Sequence, residues 1–271
     1  MDIKLVKKLR DNSGASMSLV KTCLEDASWD YDAASILLQK KLGVGSVKRE
    51  QNQTHFGVVA LHVSFDRRTG TLLAVNCETD FVARNSQFVE FAQRGASGDL
   101  KEGDLETIAG LFKEKIALGS GLVFSGNVAT YCGGYIHADN SQGAMVMLHT
   151  PGRKAEHVEA LDELARDIGM QVVAMKPVCL DADSMEDAEQ AKSIISSELQ
   201  DSKKPPAIVE KIAEGRFRKL CEERCLLDQP FIKPVMVNGK ETTISTREYI
   251  DSFSKEVGFP VKIEAFERKT A

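Results

Sequence analysis

Residues able to do chemistry are spread along this 271-residue sequence without the spacing of a catalytic motif. The five histidines stand singly, and none belongs to the His-Glu-x-x-His pattern that holds zinc in many hydrolases. The sequence contains no GxxxxGK[ST] loop for a nucleotide phosphate, no GxGxxG turn and no GxSxG nucleophile elbow. We therefore interpret the histidines as packed or surface residues and expect a protein that is not an enzyme.

The six cysteines are dispersed through a chain of ordinary size, which is typical of a reducing compartment rather than of a disulfide framework. Cys221 and Cys225 are four residues apart and would share one face of a helix, a spacing that could also hold two metal ligands. Neither a CxxC pair nor a histidine lies near them in the sequence, so helix packing is the favoured interpretation. The sequence predicts no metal site and no cofactor.

A large aromatic stands between an acidic pair and a helix start in "CETDFVARN", residues 77–85. Phe81 and Val82 directly follow Glu78 and Asp80. In one interpretation Phe81 packs under the next helix as a hydrophobic staple. In another it is exposed and contacts a partner, and in a third Glu78 and Asp80 are the acid pair of an unrecognised α+β enzyme. On the residues alone we favour the staple, and the other two interpretations stay open.

Composition narrows the class of partner. With 42% hydrophobic and 28% charged residues, the sequence is that of a soluble globular protein. Its net charge of −5 argues against binding a nucleic-acid backbone, which requires clustered Lys and Arg. No apolar run approaches the roughly 20 residues that span a bilayer, and the N-terminus lacks the apolar core of a secretory signal. We expect a protein or small-ligand partner, no nucleic acid and no membrane.

Helical periodicity predicts a three-helix module over residues 1–45, followed by a polar linker over 46–54. Ser16 or Ser18 is expected to cap the second helix, and Gly14 and Gly43 to end the first and third. The apolar residues expected to face the module's core are Ile3, Leu5, Val6, Leu9, Leu19, Cys23, Leu24, Ala33, Ile36 and Leu37.

Beyond the linker, alternating apolar residues predict a β-hairpin followed by a helix, and the same order of elements then recurs. We assign residues 55–126 to one core subdomain and 127–271 to a second, similar one. The second includes an antiparallel helical hairpin over 184–225. The helix between the two halves is predicted over "DLETIAGLFKEKIALG", and a strand is predicted over the final "PVKIEAFE". The predicted fold class is α+β.

Several segments together resemble one family. "VNCETDFVARN" at 75–85 is very similar to the signature of elongation factor Ts, the guanine-nucleotide exchange factor for elongation factor Tu. The stretch 5–38 resembles that family's N-terminal helical module, and "MQVVAMKP", "EGRFRKL" and "QPFI" resemble later segments in the same order. The resemblance therefore extends over nearly the whole sequence.

This resemblance implies a role for each matching residue. Asp80 and Phe81, flanked by Thr79 and Val82, would enter the partner's GTP-binding domain, disturb its Mg²⁺ and β-phosphate sites and release GDP. The N-terminal module would bind the same domain. Its expected contact residues are Met17, Ser18 and Lys21, and His137 would contact another domain of the partner.

The sequence differs from typical bacterial members of this family in the linker, the segment "LGSGLVFSGNVATY", the turn "HADNSQGAM" and Ser18. Together with the cysteine content, these differences favour a mitochondrial matrix member whose presequence is absent, and a bacterial cytoplasmic factor is the alternative. A three-helix module of this size also resembles ubiquitin-associated domains. The alternative function is therefore a ubiquitin-binding adaptor.

Overall fold

A computed structural model describes residues 3–13, 15–43, 52–200, 205–237 and 240–271. The helices are α1 (Ile3–Ser13), α2 (Met17–Asp26), α3 (Tyr31–Gly43), α4 (Asp80–Ala83), α5 (Ser86–Ser97), α6 (Asp104–Phe112), α7 (Val158–Met175), α8 (Ala188–Gln200), α9 (Pro206–Arg224) and α10 (Thr246–Val257). The strands are β1 (Phe56–Val63), β2 (Thr69–Cys77), β3 (Ala117–Leu118), β4 (Leu122–Ser125), β5 (Thr130–Ile136), β6 (Gln142–His149), β7 (Val235–Val237), β8 (Lys240–Thr242) and β9 (Lys262–Thr270). The predicted α+β class, with three N-terminal helices, is confirmed.

Helices α1, α2 and α3 enclose a small core of their own. Ser16 caps α2 by accepting a hydrogen bond from the Leu19 backbone N–H at 3.3 Å. The buried side chains include Val6, Leu9, Val20, Cys23, Leu24, Ala34 and Leu38. Gly14 and most of the predicted linker, residues 46–51, lie outside the described residues.

The predicted inward face of α3 is wrong for Ala33 and Ile36 but confirmed for Leu37, which packs against the core, and the prediction for the first residue of α1 is also wrong. Ala33 and Ile36 are exposed, whereas Ala34 and Leu38 are buried, and Ile3 is exposed at the helix start. Apolar residues lie on several sides of α3, so periodicity does not select a single face. Packing against α2 makes the choice instead.

The first sheet has β2 at its centre, with β1 along one side and the short strands β3 and β4 along the other. Alternate residues of β1 and β2 point to opposite faces, as strand geometry requires. Val58, Ala60, Leu73 and Val75 pack with α4, α5 and α6. Val59, Leu72 and Ala74 face the second sheet instead, so both faces of this hairpin are buried.

The second sheet is antiparallel in the order β5, β6, β9, and α7 covers its outer face. Ala144, Val146 and Leu148 point toward α7, while Met145 points toward the first sheet. The backbone joins the two sheets as well, because Val59 N–H donates to the Asn140 carbonyl at 2.7 Å. The layers are therefore helix, sheet, sheet and helix, with β1 and β2 in the interior.

Helices α8 and α9 contact each other as the predicted helical hairpin, and they begin at Ala188 and Pro206. The final strand is confirmed as β9, which pairs with β6. The division of the chain at residues 45, 54 and 126 stays a prediction. No helix of the described ranges is long and apolar enough to cross a membrane.

The helix predicted between the two halves is shorter than expected. α6 ends at Phe112, where Lys113 adopts a left-handed backbone conformation with φ of 58°. Ala117 and Leu118, predicted to be helical, form strand β3 against β2, and β4 follows. These residues form strands despite their helical pattern because the backbone N–H and C=O groups along one edge of β2 would otherwise be unpaired.

Substitution of glycine by alanine is expected to change the free energy of unfolding in opposite directions at Gly169 and Gly215. A Cβ at Gly169 in α7 would lie 2.8 Å from the backbone nitrogen of Tyr135, whereas one at Gly215 in α9 would meet nothing within 4 Å. We expect Gly169→Ala to lower the free energy of unfolding by about 1–3 kcal/mol through overpacking. We expect Gly215→Ala to raise it by about 0.5–1 kcal/mol through helix propensity. Urea unfolding measures both, and effects of the same sign would contradict the close helix–sheet contact.

Candidate functional site

Residues 77–85 form a strand end, a short helix and a cap. Cys77 is buried at the end of β2, and its thiol donates to the Thr79 carbonyl at 3.2 Å. Burial, reinforced by the nearby Glu114 carboxylate, raises the pKa of Cys77 to about 11, so the thiol stays neutral at physiological pH. The Thr79 hydroxyl accepts from Val82 N–H at 3.4 Å and so caps α4. Asp80 and Phe81 thus form the first turn of a helix.

Glu114 fixes this segment from a distant part of the sequence. Its carboxylate accepts hydrogen bonds from the backbone N–H groups of Glu78 and Thr79, each at 3.1 Å, and from the Thr79 hydroxyl at 2.6 Å. Hydrogen bonds to a charged acceptor are stronger than those between neutral groups. The loop that precedes α4 is therefore anchored to the segment that follows α6.

The carboxylates of Glu78 and Asp80 have separate partners. Glu78 accepts from the Lys115 backbone N–H and from the Asn52 side-chain amide, the latter at 3.0 Å. Asp80 pairs with Arg84, one helical turn onward, at 3.3 Å. Glu78 thus accepts a backbone hydrogen bond, whereas Asp80 forms an ion pair at the surface. This arrangement does not support a shared acid pair of an enzyme.

Phe81 projects from α4 into solvent, where its side chain is 83% exposed. The core position beside it belongs to Val82, which is only 6% exposed and packs in the same cluster as the fully buried Phe88. The hydrophobic-staple interpretation of Phe81 is therefore wrong. The ring is available to contact another molecule.

The three residues predicted on the N-terminal module share helix α2. Met17 is 52% exposed, and Ser18 and Lys21 are exposed as well. Met17 and Lys21 are four residues apart, so they lie on one side of the helix. Lys21 is 3.7 Å from Glu25 in an exposed ion pair of the kind that constrains a side chain only weakly.

His137 lies in the turn between β5 and β6, on a different element from both other groups. Its Nδ1 is 2.8 Å from an Asp139 carboxylate oxygen, which also accepts from the Ser141 N–H and hydroxyl. The hydrogen bond with His137, followed by that from the Ser141 backbone, lowers the pKa of Asp139 to about 2. The turn that carries His137 is therefore ordered by side-chain hydrogen bonds.

Comparison with known proteins identifies the family. The model of the family "Elongation factor TS" matches residues 98–267. Proteins named elongation factor Ts from Prosthecochloris aestuarii and Desulfovibrio desulfuricans are 32% and 33% identical to this chain, with 98% of it and 96% of each relative covered. The chain belongs to the elongation factor Ts family. A similar protein from Clostridium kluyveri is 30% identical, with 98% of this chain and 90% of the relative covered.

Membership in the elongation factor Ts family supports a role in translation elongation. The three relatives are bacterial, and they lend no support to a mitochondrial or a ubiquitin-associated assignment. Sequence reasoning missed Glu114, the residue that anchors Thr79 from 35 positions away. Its only local feature is a "KEK" charge run, which is also typical of an ordinary solvated surface.

The hydrogen bonds of Glu114 predict that its substitution destabilises the protein mainly around residues 77–85. Glu114→Ala leaves two backbone N–H donors and a hydroxyl without their acceptor, so we expect the free energy of unfolding to fall by about 1–3 kcal/mol. Amide hydrogen exchange at Glu78 and Thr79 should also accelerate. Glu114→Gln keeps one acceptor oxygen and should give a smaller loss.

Glu90→Ala is the matched control for Glu114→Ala, because Glu90 is an exposed carboxylate on α5. Its effect should stay within about 0.5 kcal/mol, as for most surface substitutions. Equal effects of the Glu90 and Glu114 substitutions, or unchanged exchange at Thr79, would contradict the anchoring role.

Proposed function

We propose that this protein is a guanine-nucleotide exchange factor that binds elongation factor Tu in its GDP state and promotes release of GDP. The observation that carries this proposal is the exposed ring of Phe81 on a capped and anchored helix start. The protein itself supplies no acid, base or metal to the reaction. It acts by opening the nucleotide site of its partner.

The free energy for this opening comes from burial of Phe81 in the GTPase. Removing a phenyl ring from water contributes roughly 1.5–3 kcal/mol. Because Thr79 and Glu114 already fix the backbone, little of this is lost in ordering the segment on binding. The gain can hold the GTPase in a conformation that binds Mg²⁺ and GDP poorly.

Coupling between the two ligands of the GTPase must be reciprocal. If this protein weakens GDP binding by a given factor, GDP weakens the affinity of this protein by the same factor. Incoming nucleotide therefore expels the exchange factor and completes the cycle. No covalent step by this chain is needed.

Two further surfaces supplement the Phe81 contact. Met17, Ser18 and Lys21 form an exposed patch on α2 that would bind the GTP-binding domain, and His137 would contact a second domain of the partner. In this scheme residues 1–45, 55–126 and 127–271 are separate units, each of which carries one contact. Departures from the bacterial pattern favour the mitochondrial matrix as the compartment, and the bacterial relatives favour a bacterial cytoplasm.

Phe81→Ala tests the proposal directly. We expect it to lower the rate constant of protein-stimulated GDP release from elongation factor Tu by about 10- to 100-fold, the equivalent of the lost ring burial. The free energy of unfolding should change little because the ring is exposed in the free protein. Release of labelled GDP, with unfolding in urea as a companion measurement, gives both values.

Phe65→Ala is the matched control, since Phe65 is fully exposed in the turn between β1 and β2. It removes the same chemical group and should leave exchange unchanged. Failure of the parent protein to accelerate GDP release would overturn the proposal, as would equal loss from both substitutions. Binding to ubiquitin without binding to elongation factor Tu would instead favour the adaptor alternative.

A further inference from the structure

Three cysteines form a buried cluster where the helical hairpin joins the second sheet and its helix. Cys179 lies between α7 and α8, Cys221 lies in the last turn of α9, and Cys225 caps that helix. They are 9%, 6% and 0% exposed, and all three are free thiols. The sulfur atoms of Cys179 and Cys225 are 3.4 Å apart. The fold thus supplies the third thiol that the sequence neighbourhood of Cys221 and Cys225 lacks.

Backbone hydrogen bonds hold these cysteines in place. Cys179 and Cys225 are partners in a parallel β-bridge, and Leu226 N–H donates to the Cys179 carbonyl at 2.9 Å. Cys225 N–H donates to the Cys221 carbonyl at 2.7 Å. The main chain therefore fixes the backbone positions of the three cysteines.

Asp228 adds an oxygen to the cluster. The thiol sulfurs of Cys221 and Cys225 and a carboxylate oxygen of Asp228 all lie within 4.8 Å of one another. Ligand atoms around a tetrahedral zinc ion, with Zn–S bonds of about 2.3 Å, are about 3.8 Å apart. The Cys179 sulfur is 3.4 Å from that of Cys225 but lies outside this group of three, so the Cys179 side chain would have to turn toward it to complete a tetrahedron.

We propose that Cys221, Cys225 and Asp228, with Cys179 beside them as the fourth ligand, form a binding site for Zn²⁺. Thiolates prefer soft or borderline metal ions, and four tetrahedral ligands with little solvent access are typical of structural zinc. Binding releases the thiol protons and the water ligands of the ion to solvent, and Zn–S bonds and one Zn–O bond replace the Zn–water bonds. The metal would fasten the base of the α8–α9 hairpin to the segment that follows α7.

Nearby cations suit the negative charge of such a site. Arg247 is 3.4 Å from Asp228, and Arg224 is held beside the cluster by Asp187 at 2.9 Å. The ammonium of Lys192 lies 5.1 Å from the ring centroid of Phe217, which packs against the thiols. These positive groups offset part of the charge of three thiolates and a carboxylate around one divalent ion.

A disulfide between Cys179 and Cys225 is the competing use of the same atoms. Forming it would require a two-electron oxidant, whereas metal binding requires only the loss of the thiol protons. A disulfide would also leave the positions of Cys221 and Asp228 without a purpose. The proximity of Cys221, Cys225 and Asp228 therefore favours metal binding over oxidation.

The test uses the full-length, reduced and metal-free protein, titrated with Co²⁺ and then with Zn²⁺. We expect one Co²⁺ per chain, with a thiolate-to-cobalt charge-transfer band in the near ultraviolet and intense tetrahedral bands in the visible. Zn²⁺ should bleach these bands at one equivalent and raise the melting temperature, because it binds only the folded chain.

Cys221→Ser should weaken the charge-transfer band, reduce Co²⁺ affinity at least about tenfold and abolish the thermal shift with Zn²⁺. Cys23→Ser is the matched control, because Cys23 is an equally buried thiol in α2, far from the cluster in sequence. It should retain every signal. Asp228→Asn, a change at a partly exposed side chain, should keep the charge-transfer band and lower the affinity for both metals.

The proposal is overturned if the parent protein shows no thiolate-to-cobalt band at one equivalent of Co²⁺. It is also overturned if Cys221→Ser and Cys23→Ser bind cobalt equally. A metal-free chain that gains a Cys179–Cys225 disulfide under mild peroxide, and binds no cobalt when reduced, would establish the competing interpretation. If Cys221→Ser does not fold, unchanged metal affinity of Asp228→Asn contradicts the proposed ligand set.

Discussion

Burial of β2 on both faces is the constraint from which the rest of the structure follows. Leu73 and Val75 lie against α5 and its neighbours, while Leu72 and Ala74 lie against the second sheet. A shift of one residue in register would exchange these two sets of side chains. The set that packs against the helices would then face the second sheet, and the other set would face the helices. The strand therefore ends at one position, Cys77, and the chain leaves the core in one direction.

Residues 77–85, which begin at the end of this buried strand, hold Phe81 in a fixed position at the surface. Thr79 caps α4 through its hydroxyl, and Glu114 accepts from the backbone immediately before the helix. These bonds join the end of β2 to the loop after α6, so two separate parts of the chain hold one short helix. A helix of four residues has little stability of its own, which makes these outside contacts necessary.

Sequence patterns predicted those helices and strands that are determined by neighbouring residues in the chain. Alternating apolar residues predicted both β-hairpins, and the capping residue Ser16 predicted the start of α2. The early end of α6 and the strands β3 and β4 depend on pairing with β2, which no local pattern records. Glu114 was missed for the same reason. Phe81 was singled out by resemblance to a family, since its spacing alone allowed a packed or an exposed ring.

The geometry of α4 explains why Phe81 is exposed although an apolar core lies next to it. Successive residues of a helix point about 100° apart, so Phe81 is turned away from the core when Val82 points directly into it. The Thr79 cap and the Glu114 bonds fix the rotation of the helix with Val82 inward. The larger ring is then directed outward and contributes little to folding. Its hydrophobic free energy remains available for burial against a second protein.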